Sequence, residues 1–130
     1  MISKKNRKVL IIEDEEDMRD IYETKLAREG YDVVTADSGV KGLALAGEEQ
    51  PKLILLDIVL PGKDGFSVLE ELKANPKTKG IPVVIISNLN QDYEIKMAKD
   101  MGAEVYLTKA DVTPDEVAEN VRNILEKNDN

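Results

Sequence analysis

Three short runs of unbroken apolar residues constrain this chain more than any other feature: Val9-Leu10-Ile11-Ile12, Leu53-Ile54-Leu55-Leu56 and Val83-Val84-Ile85-Ile86. A strand with one wet face alternates apolar with polar residues, whereas a strand covered on both faces has no need to. The runs therefore predict central strands of a parallel sheet. Val33-Val34-Thr35-Ala36 and Val105-Tyr106-Leu107 are weaker and are expected at or near the sheet edges.

Between these runs lie five stretches of helical period. The first carries Met18, Ile21, Tyr22 and Leu26 on one stripe and ends at Gly30, a good C′ residue. The second starts near Ser38 as N-cap and runs toward Glu48. The third follows Gly65, turns Phe66, Leu69 and Leu72 inward, and stops before Asn75-Pro76. The fourth runs from about Asn90 to Met101 and ends at Gly102. The last opens with Thr113-Pro114-Asp115-Glu116, a capping box with proline at the first helical position, and buries Val117, Val121, Ile124 and Leu125.

Five β-α repeats with right-handed crossovers imply an α/β fold, an open parallel sheet with helices on both faces. No repeat, low-complexity tract or linker marks a second domain, so residues 1–130 are read as one domain with its core over about 8–127. At 42% hydrophobic residues the chain has enough apolar surface for such a core. No run approaches a membrane span, and VLII is too short for a signal peptide; the expectation is a soluble, cytoplasmic protein without a membrane partner.

Charge and missing residue types narrow the chemistry. A net charge of −8 argues against direct nucleic-acid binding, and Lys4, Lys5, Arg7 and Lys8 are expected to form a solvated N-terminal tail. With no cysteine there are no disulfides or thiolate metal sites. With no histidine there is no imidazole ligand, no Ser-His-Asp triad and no phosphohistidine on this chain. A phosphoryl group must be received on oxygen, and a metal must be a hard cation held by carboxylates.

In an open parallel sheet, ligands bind beyond the carboxyl ends of the strands. The first strand ends in Glu13-Asp14 and the third in Asp57. If these strands are neighbours, three carboxylates converge, and their repulsion calls for protonation or a cation such as Mg2+. Glu15, Glu16 and Asp17 are expected to be an acidic first helical turn favoured by the macrodipole. The fourth strand ends in Ser87-Asn88, and Lys109 follows the fifth. Together they suggest phosphoryl transfer: a cation binds phosphoryl oxygens, a carboxylate attacks phosphorus, and Lys109 and Ser87 steady the product.

The segment LILLDIVLPGKDGF, with Asp57, Pro61 and Gly65, resembles the phospho-acceptor stretch of the response-regulator receiver domains of bacterial two-component systems, those of the chemotaxis type included. VLIIEDE resembles the family's acidic-pair strand and GAEVYLTKA its strand bearing an aromatic residue and a lysine. The resemblance runs from about Lys8 to Lys127. It implies a flavodoxin-like (βα)5 sheet of order 2-1-3-4-5. It also implies that Asp57 takes a phosphoryl group from a phosphohistidine on a sensor histidine kinase or phosphotransfer protein. Mg2+ would be held by Asp14, Asp57 and the backbone carbonyl of Val59, with Glu13 acting through water. Lys109 and Ser87 would bind the phosphoryl group, and Tyr106 would swing from an exposed to a buried rotamer. That movement would alter the face of the fourth helix, fifth strand and fifth helix, read by an output partner protein or by a second copy in a homodimer. Such a protein catalyses only its own phosphorylation and slow autodephosphorylation and is otherwise no enzyme.

Four departures bear on this expectation. Glu13 replaces a commoner Asp, and Ser87 a commoner Thr. Asn88 stands where a small residue is usual, and is expected to crowd the phosphoryl pocket or hydrogen-bond into it. Ala110 stands where the family has a proline after a cis bond, so Lys109-Ala110 is expected either trans with a reshaped loop or cis and strained. Val59 and Leu89 cannot orient a hydrolytic water, which predicts slow autodephosphorylation.

Other uses of the fold fit less well. A flavin or nucleotide binder needs a Gly/Ser/Thr-rich loop after the first strand, not Glu-Asp-Glu-Glu-Asp. A phosphatase with an aspartyl nucleophile would carry Asp-x-Asp there. The alternative is a receiver-like interaction module that is never phosphorylated, and fold alone does not separate the two.

Overall fold

The computed structural model describes residues 7–128. Ten elements alternate along the chain: β1 (Lys8–Ile12), α1 (Glu16–Arg28), β2 (Asp32–Ala36), α2 (Gly39–Glu49), β3 (Leu53–Leu56), α3 (Gly65–Ala74), β4 (Val83–Ser87), α4 (Asp92–Asp100), β5 (Val105–Thr108) and α5 (Pro114–Asn128). The strands form one parallel sheet in the order β2-β1-β3-β4-β5, with the weaker β2 and β5 at its edges.

The pleat explains the unbroken apolar runs. Val9, Ile11, Leu53, Leu55, Val84 and Ile86 point to one face and join Tyr22, Leu26, Val117, Val121 and Leu125 from α1 and α5. Their neighbours Leu10, Ile12, Ile54, Leu56, Val83 and Ile85 point to the other, against Ala46, Val68, Leu69, Leu72 and Ala98 from α2, α3 and α4. Both faces are dry along Val9–Ile12, Leu53–Leu56 and Val83–Ile86, so no position there facing a helix layer can be polar at low cost.

The predicted caps form. Ser38 accepts the Lys41 N–H at 3.2 Å to start α2. At α5, Thr113 Oγ1 accepts the Glu116 N–H at 3.1 Å while Glu116 Oε1 accepts the Thr113 N–H at 3.0 Å. Helix α4 begins later than expected, at Asp92, because Glu94 reaches back to accept the Gln91 N–H at 3.0 Å.

Some expectations need correcting. Ile21 is 42% exposed, because the inward stripe of α1 is the narrower Met18, Tyr22, Leu26 row at i, i+4, i+8. Phe66 packs against the inner cluster while staying partly buried, and Val68 joins Leu69 and Leu72 within it. Arg7 and Lys8 are not a solvated tail. Arg7 is buried, its carbonyl accepting the Asp32 N–H, and Lys8 opens β1 with its ammonium 2.6 Å from Glu49 and 3.9 Å from Asp32. Lys4 and Lys5 lie outside the described residues.

One glycine fixes the loop after β3. A Cβ on Gly65 would lie 2.4 Å from the Asp57 carbonyl oxygen and 2.5 Å from Ile58 Cα, and the Gly65 N–H donates to the Ile58 carbonyl at 2.8 Å. The start of α3 is thereby pressed against the backbone of Asp57. Gly65→Ala is expected to lower the unfolding free energy by about 1–3 kcal/mol through this overpacking. Gly47→Ala, in open space on α2, is expected to raise it by about 0.4–1 kcal/mol. Urea denaturation of both variants beside the parent checks the contrast.

Candidate functional site

Sheet register brings the site together. Ile12 pairs with Leu56, and the ladder continues one step beyond, with the Asp57 N–H donating to the Ile12 carbonyl and the Glu13 N–H to Ala36. Glu13 and Asp57 thus emerge side by side at the carboxyl edge of the central strand β3 and its neighbour β1. Lys109, one residue past β5, reaches over β4 to meet them.

The resulting cluster is buried and charged. Glu13 is 1% and Asp57 2% exposed. The Lys109 ammonium lies 2.6 Å from Glu13 Oε1 and 2.8 Å from Asp57 Oδ2. Asp57 Oδ1 accepts the Val59 N–H at 3.1 Å, and Glu13 Oε2 accepts the Glu15 N–H at 3.1 Å. Arg19 secures the loop by donating to the carbonyls of Glu13 (3.0 Å) and Asp14 (3.3 Å).

Glu13, Asp14 and Asp57 each place a carboxylate oxygen within 4.8 Å of the others, an all-oxygen group that could hold a metal ion. Three carboxylates face one ammonium, so the cluster carries an excess of negative charge that a divalent cation would offset. The three acids are not equivalent. Glu13 and Asp57 are already engaged by Lys109, whereas exposed Asp14 has no side-chain partner among the described residues.

Electrostatics record this crowding. Burial pushes the Glu13 carboxyl up to about 7, with Lys109 opposing the shift and Asp57 adding to it. Burial would lower Lys109, but its bonds to Asp57 and Glu13 outweigh that and hold its pKa raised, so it stays an ammonium.

Ser87 and Tyr106 sit on the opposite side of the pleat from Glu13, Asp57 and Lys109. Ser87 is fully buried, and its Oγ accepts the Leu89 N–H at 3.3 Å. Tyr106 packs against the cluster that includes Ile85 and Leu10, and its hydroxyl donates to the Leu89 carbonyl. The phenol is turned inward in this structure.

Two sequence expectations fail here. Glu15 is not part of the first helical turn. It is the residue before α1, and its carboxylate lies 3.1 Å from the Lys109 ammonium, while Glu16 and Asp17 do form the acidic turn. Glu15 sits at the N-cap without making a side-chain cap bond, so nothing in the sequence marks this boundary. Asn88 does not reach into the cluster: its Oδ1 accepts the Ala110 N–H at 3.0 Å. Lys109-Ala110 is trans, since no cis peptide occurs among the described residues, and Lys109–Asp111 form a short 3-10 helix.

A carboxyl raised in the fold binds its proton more tightly there than in the unfolded chain. Its contribution to stability is therefore full below about 4.5 and lost as pH rises through about 7. In chelator, melting temperature is expected to fall across that window more steeply for the parent than for Glu13→Gln. Saturating divalent cation is expected to narrow the difference at pH 8. Parallel melting curves for the two proteins would show that Glu13 does not titrate there.

Comparison with known proteins places these features in context. The profile of the response regulator receiver domain matches residues 9–127. The chain is 41% identical over 123 residues to the DNA-binding dual master transcriptional regulator RpaA of Synechocystis, covering 94% of this chain and 50% of that protein. It is 33% identical over 124 residues to the alkaline phosphatase synthesis transcriptional regulatory protein PhoP of Bacillus subtilis, covering 95% and 50%. The chain thus spans about half the length of these curated relatives. Among solved structures, the receiver domain of Francisella response regulator 1452 superposes with a TM-score of 0.86 at 30% identity, covering 96% of this chain and all of that one. The BeF3-activated receiver domain of Klebsiella pneumoniae RstA does so with 0.84 at 28% identity, covering 92% and 98%.

Proposed function

The chain belongs to the response-regulator receiver domain family, and we propose that Asp57 is the phosphoacceptor through which it signals. The observation that supports this reading most is the Lys109 ammonium held between Asp57 and Glu13, with the exposed Asp14 carboxylate beside them. An oxygen of Asp57 forms a bond to phosphorus as the N–P bond of a phosphohistidine breaks, the electron pair leaving with the imidazole nitrogen. The donor is a sensor histidine kinase or a phosphotransfer protein.

Mg2+ suits this all-oxygen donor set: Asp14, Asp57 and the Val59 carbonyl would hold it, and Glu13 would act through water, as the family resemblance implies. When bound, it offsets the charge of the carboxylates and of the incoming phosphoryl oxygens. The chain's own residues do the rest. Lys109 holds the Asp57 carboxylate in place, 2.8 Å away, and then pairs with phosphoryl oxygen. The Ser87 hydroxyl donates to another oxygen, which draws in the loop after β4. Tyr106 follows that loop through the Leu89 carbonyl, shifting populations of the α4–β5–α5 face.

That face is the one an output protein or a second copy in a homodimer reads. The DNA-binding activity in the name of the Synechocystis relative is that of a protein twice as long; this chain, at −8, contacts protein partners, not nucleic acid. No described helix is long and apolar enough to cross a membrane, and the proposed setting of this receiver domain is the cytoplasm. No loss of an acid, of Asp57 or of Lys109 favours the module that is never phosphorylated.

Incubation with a small phosphodonor is expected to give one Mg2+-dependent phosphoryl adduct by intact mass, absent in Asp57→Asn. A folded parent without an adduct would overturn the reading. The site also predicts a long-lived product. Val59 is 56% exposed beside Asp57, Leu89 lines the other loop, and neither can hydrogen-bond a water. Val59→Asn combined with Leu89→Glu is expected to shorten the phosphoryl lifetime several-fold, measured by loss of the adduct after donor removal. An unchanged lifetime would count against this account.

A further inference from the structure

The two loops that carry Ser87 and Lys109 are tied by a side-chain bond with no counterpart in the backbone ladder. Strands β4 and β5 pair up to Ser87↔Thr108, where the ladder stops. Immediately beyond it, Asn88 Oδ1 accepts the Ala110 N–H at 3.0 Å across 22 residues of sequence. Among the described residues, no hydrogen bond or ion pair joins the Ser87 and Lys109 side chains directly. We propose that Asn88 is a positioning residue, fixing the Ser87 loop against the Lys109 turn so that hydroxyl and ammonium converge on a phosphoryl group at Asp57.

Chemistry and place both support this role. The bond needs a free amide hydrogen at 110, which alanine supplies and proline would remove. Each partner adjoins a functional side chain: Asn88 follows Ser87, and Ala110 follows Lys109. The residue after Asn88 is fastened too, since the Leu89 N–H donates to Ser87 Oγ and the Leu89 carbonyl accepts the Tyr106 hydroxyl. Three successive residues are therefore held, but among the described residues only the Asn88 side chain ties the loop to the turn bearing Lys109. When Ser87 gives up the Leu89 N–H to face an anion, the Asn88 bond remains to keep the loop from drifting off the sheet edge. Asn88 itself is exposed and lies outside the acidic group, so its loss should leave the carboxylates undisturbed.

The inference rests on the proposed role of Asp57, and beryllofluoride, a mimic of the phosphoryl group, separates the two. Binding is measured by titration calorimetry of the intact chain with saturating Mg2+, and Mg2+ alone is titrated in parallel. Asn88→Ala and the similarly shaped Asn88→Leu are expected to weaken beryllofluoride binding about two- to tenfold, the worth of one modest hydrogen bond. Mg2+ binding alone is expected to stay unchanged. Hydrogen exchange of the Ala110 amide should quicken in both variants, with no cation or anion present. Ala110→Pro, which removes the donor, should match their loss, and Asn88→Ala with Ala110→Pro should lose no more than either alone. If Ala110→Pro fails to fold, the two Asn88 variants and the exchange measurement still decide the question. Unchanged beryllofluoride affinity, an equal weakening of Mg2+, or multiplying losses in the double variant would overturn the proposal. Failure of the parent to bind beryllofluoride would instead sink the role of Asp57.

Discussion

One ammonium among buried carboxylates is the interaction on which the rest of this structure depends. Glu13 and Asp57 are almost without solvent, and like charges so close in a dry site could not both stay ionised unaided. Lys109 bridges them at 2.6 and 2.8 Å and makes the arrangement tolerable. It does not make it neutral. Glu13 remains poised near 7 and Asp14 has no side-chain partner among the described residues, so the cluster keeps an appetite for positive charge. Such a site is costly as pure architecture. It is well suited to a ligand that arrives with a divalent cation and leaves a charged group behind.

The sheet makes that concentration of charge possible. Past Lys8 at the start of β1, every residue of β1, β3 and β4 that faces a helix layer is apolar or small, and polarity returns only where the ladder runs out. Parallel pairing brings all the carboxyl ends to the same edge, so chain segments far apart in sequence deliver Glu13, Asp57, Ser87 and Lys109 to one place. Gly65 then lets α3 begin hard against Asp57. The same pleat divides the labour: Glu13, Asp57 and Lys109 fall on the α1/α5 side, Ser87 and Tyr106 on the side of α3 and α4. Charge chemistry and the loop that reports it thus occupy opposite faces of one sheet.

This division explains what could be read in the sequence and what could not. The central strands were legible because burial on both faces leaves an unbroken apolar signature, and the acids and Lys109 because each terminates such a run. The exceptions depend on geometry at finer grain than periodicity carries. Ile21 and Met18 both fit a helical stripe, but Met18, Tyr22 and Leu26 form the row that meets the sheet and Ile21 falls outside it. Arg7 and Lys8 read as a basic tail until the start of β1 fixes them beside Asp32 and Glu49. Glu15 looked like one more acid in a helical turn, and a one-residue shift in the start of α1 turns it onto Lys109. Asn88 and Ala110 were each read as an isolated oddity; their bond is a long-range pairing invisible to local pattern.

The three fastenings at Ser87, Asn88 and Leu89 bear on how such a site could switch. A group added at Asp57 can shift the α4–β5–α5 face only by as much as it favours one arrangement of the loop over the other. Moving a two-state element from mostly one form to mostly the other takes about 5.5 kcal/mol of differential binding. Hydrogen bonds to a charged group contribute about 1.5–3 kcal/mol each, so Ser87 and Lys109 together come near that figure only if both bonds are well formed at once. A loop left loose after β4 would lose part of the gain to ordering. Tying that loop to the Lys109 turn, through a bond that neither titrates nor touches the acids, keeps the ordering cost within the fold and leaves the phosphoryl contacts free to act on the face that partners read.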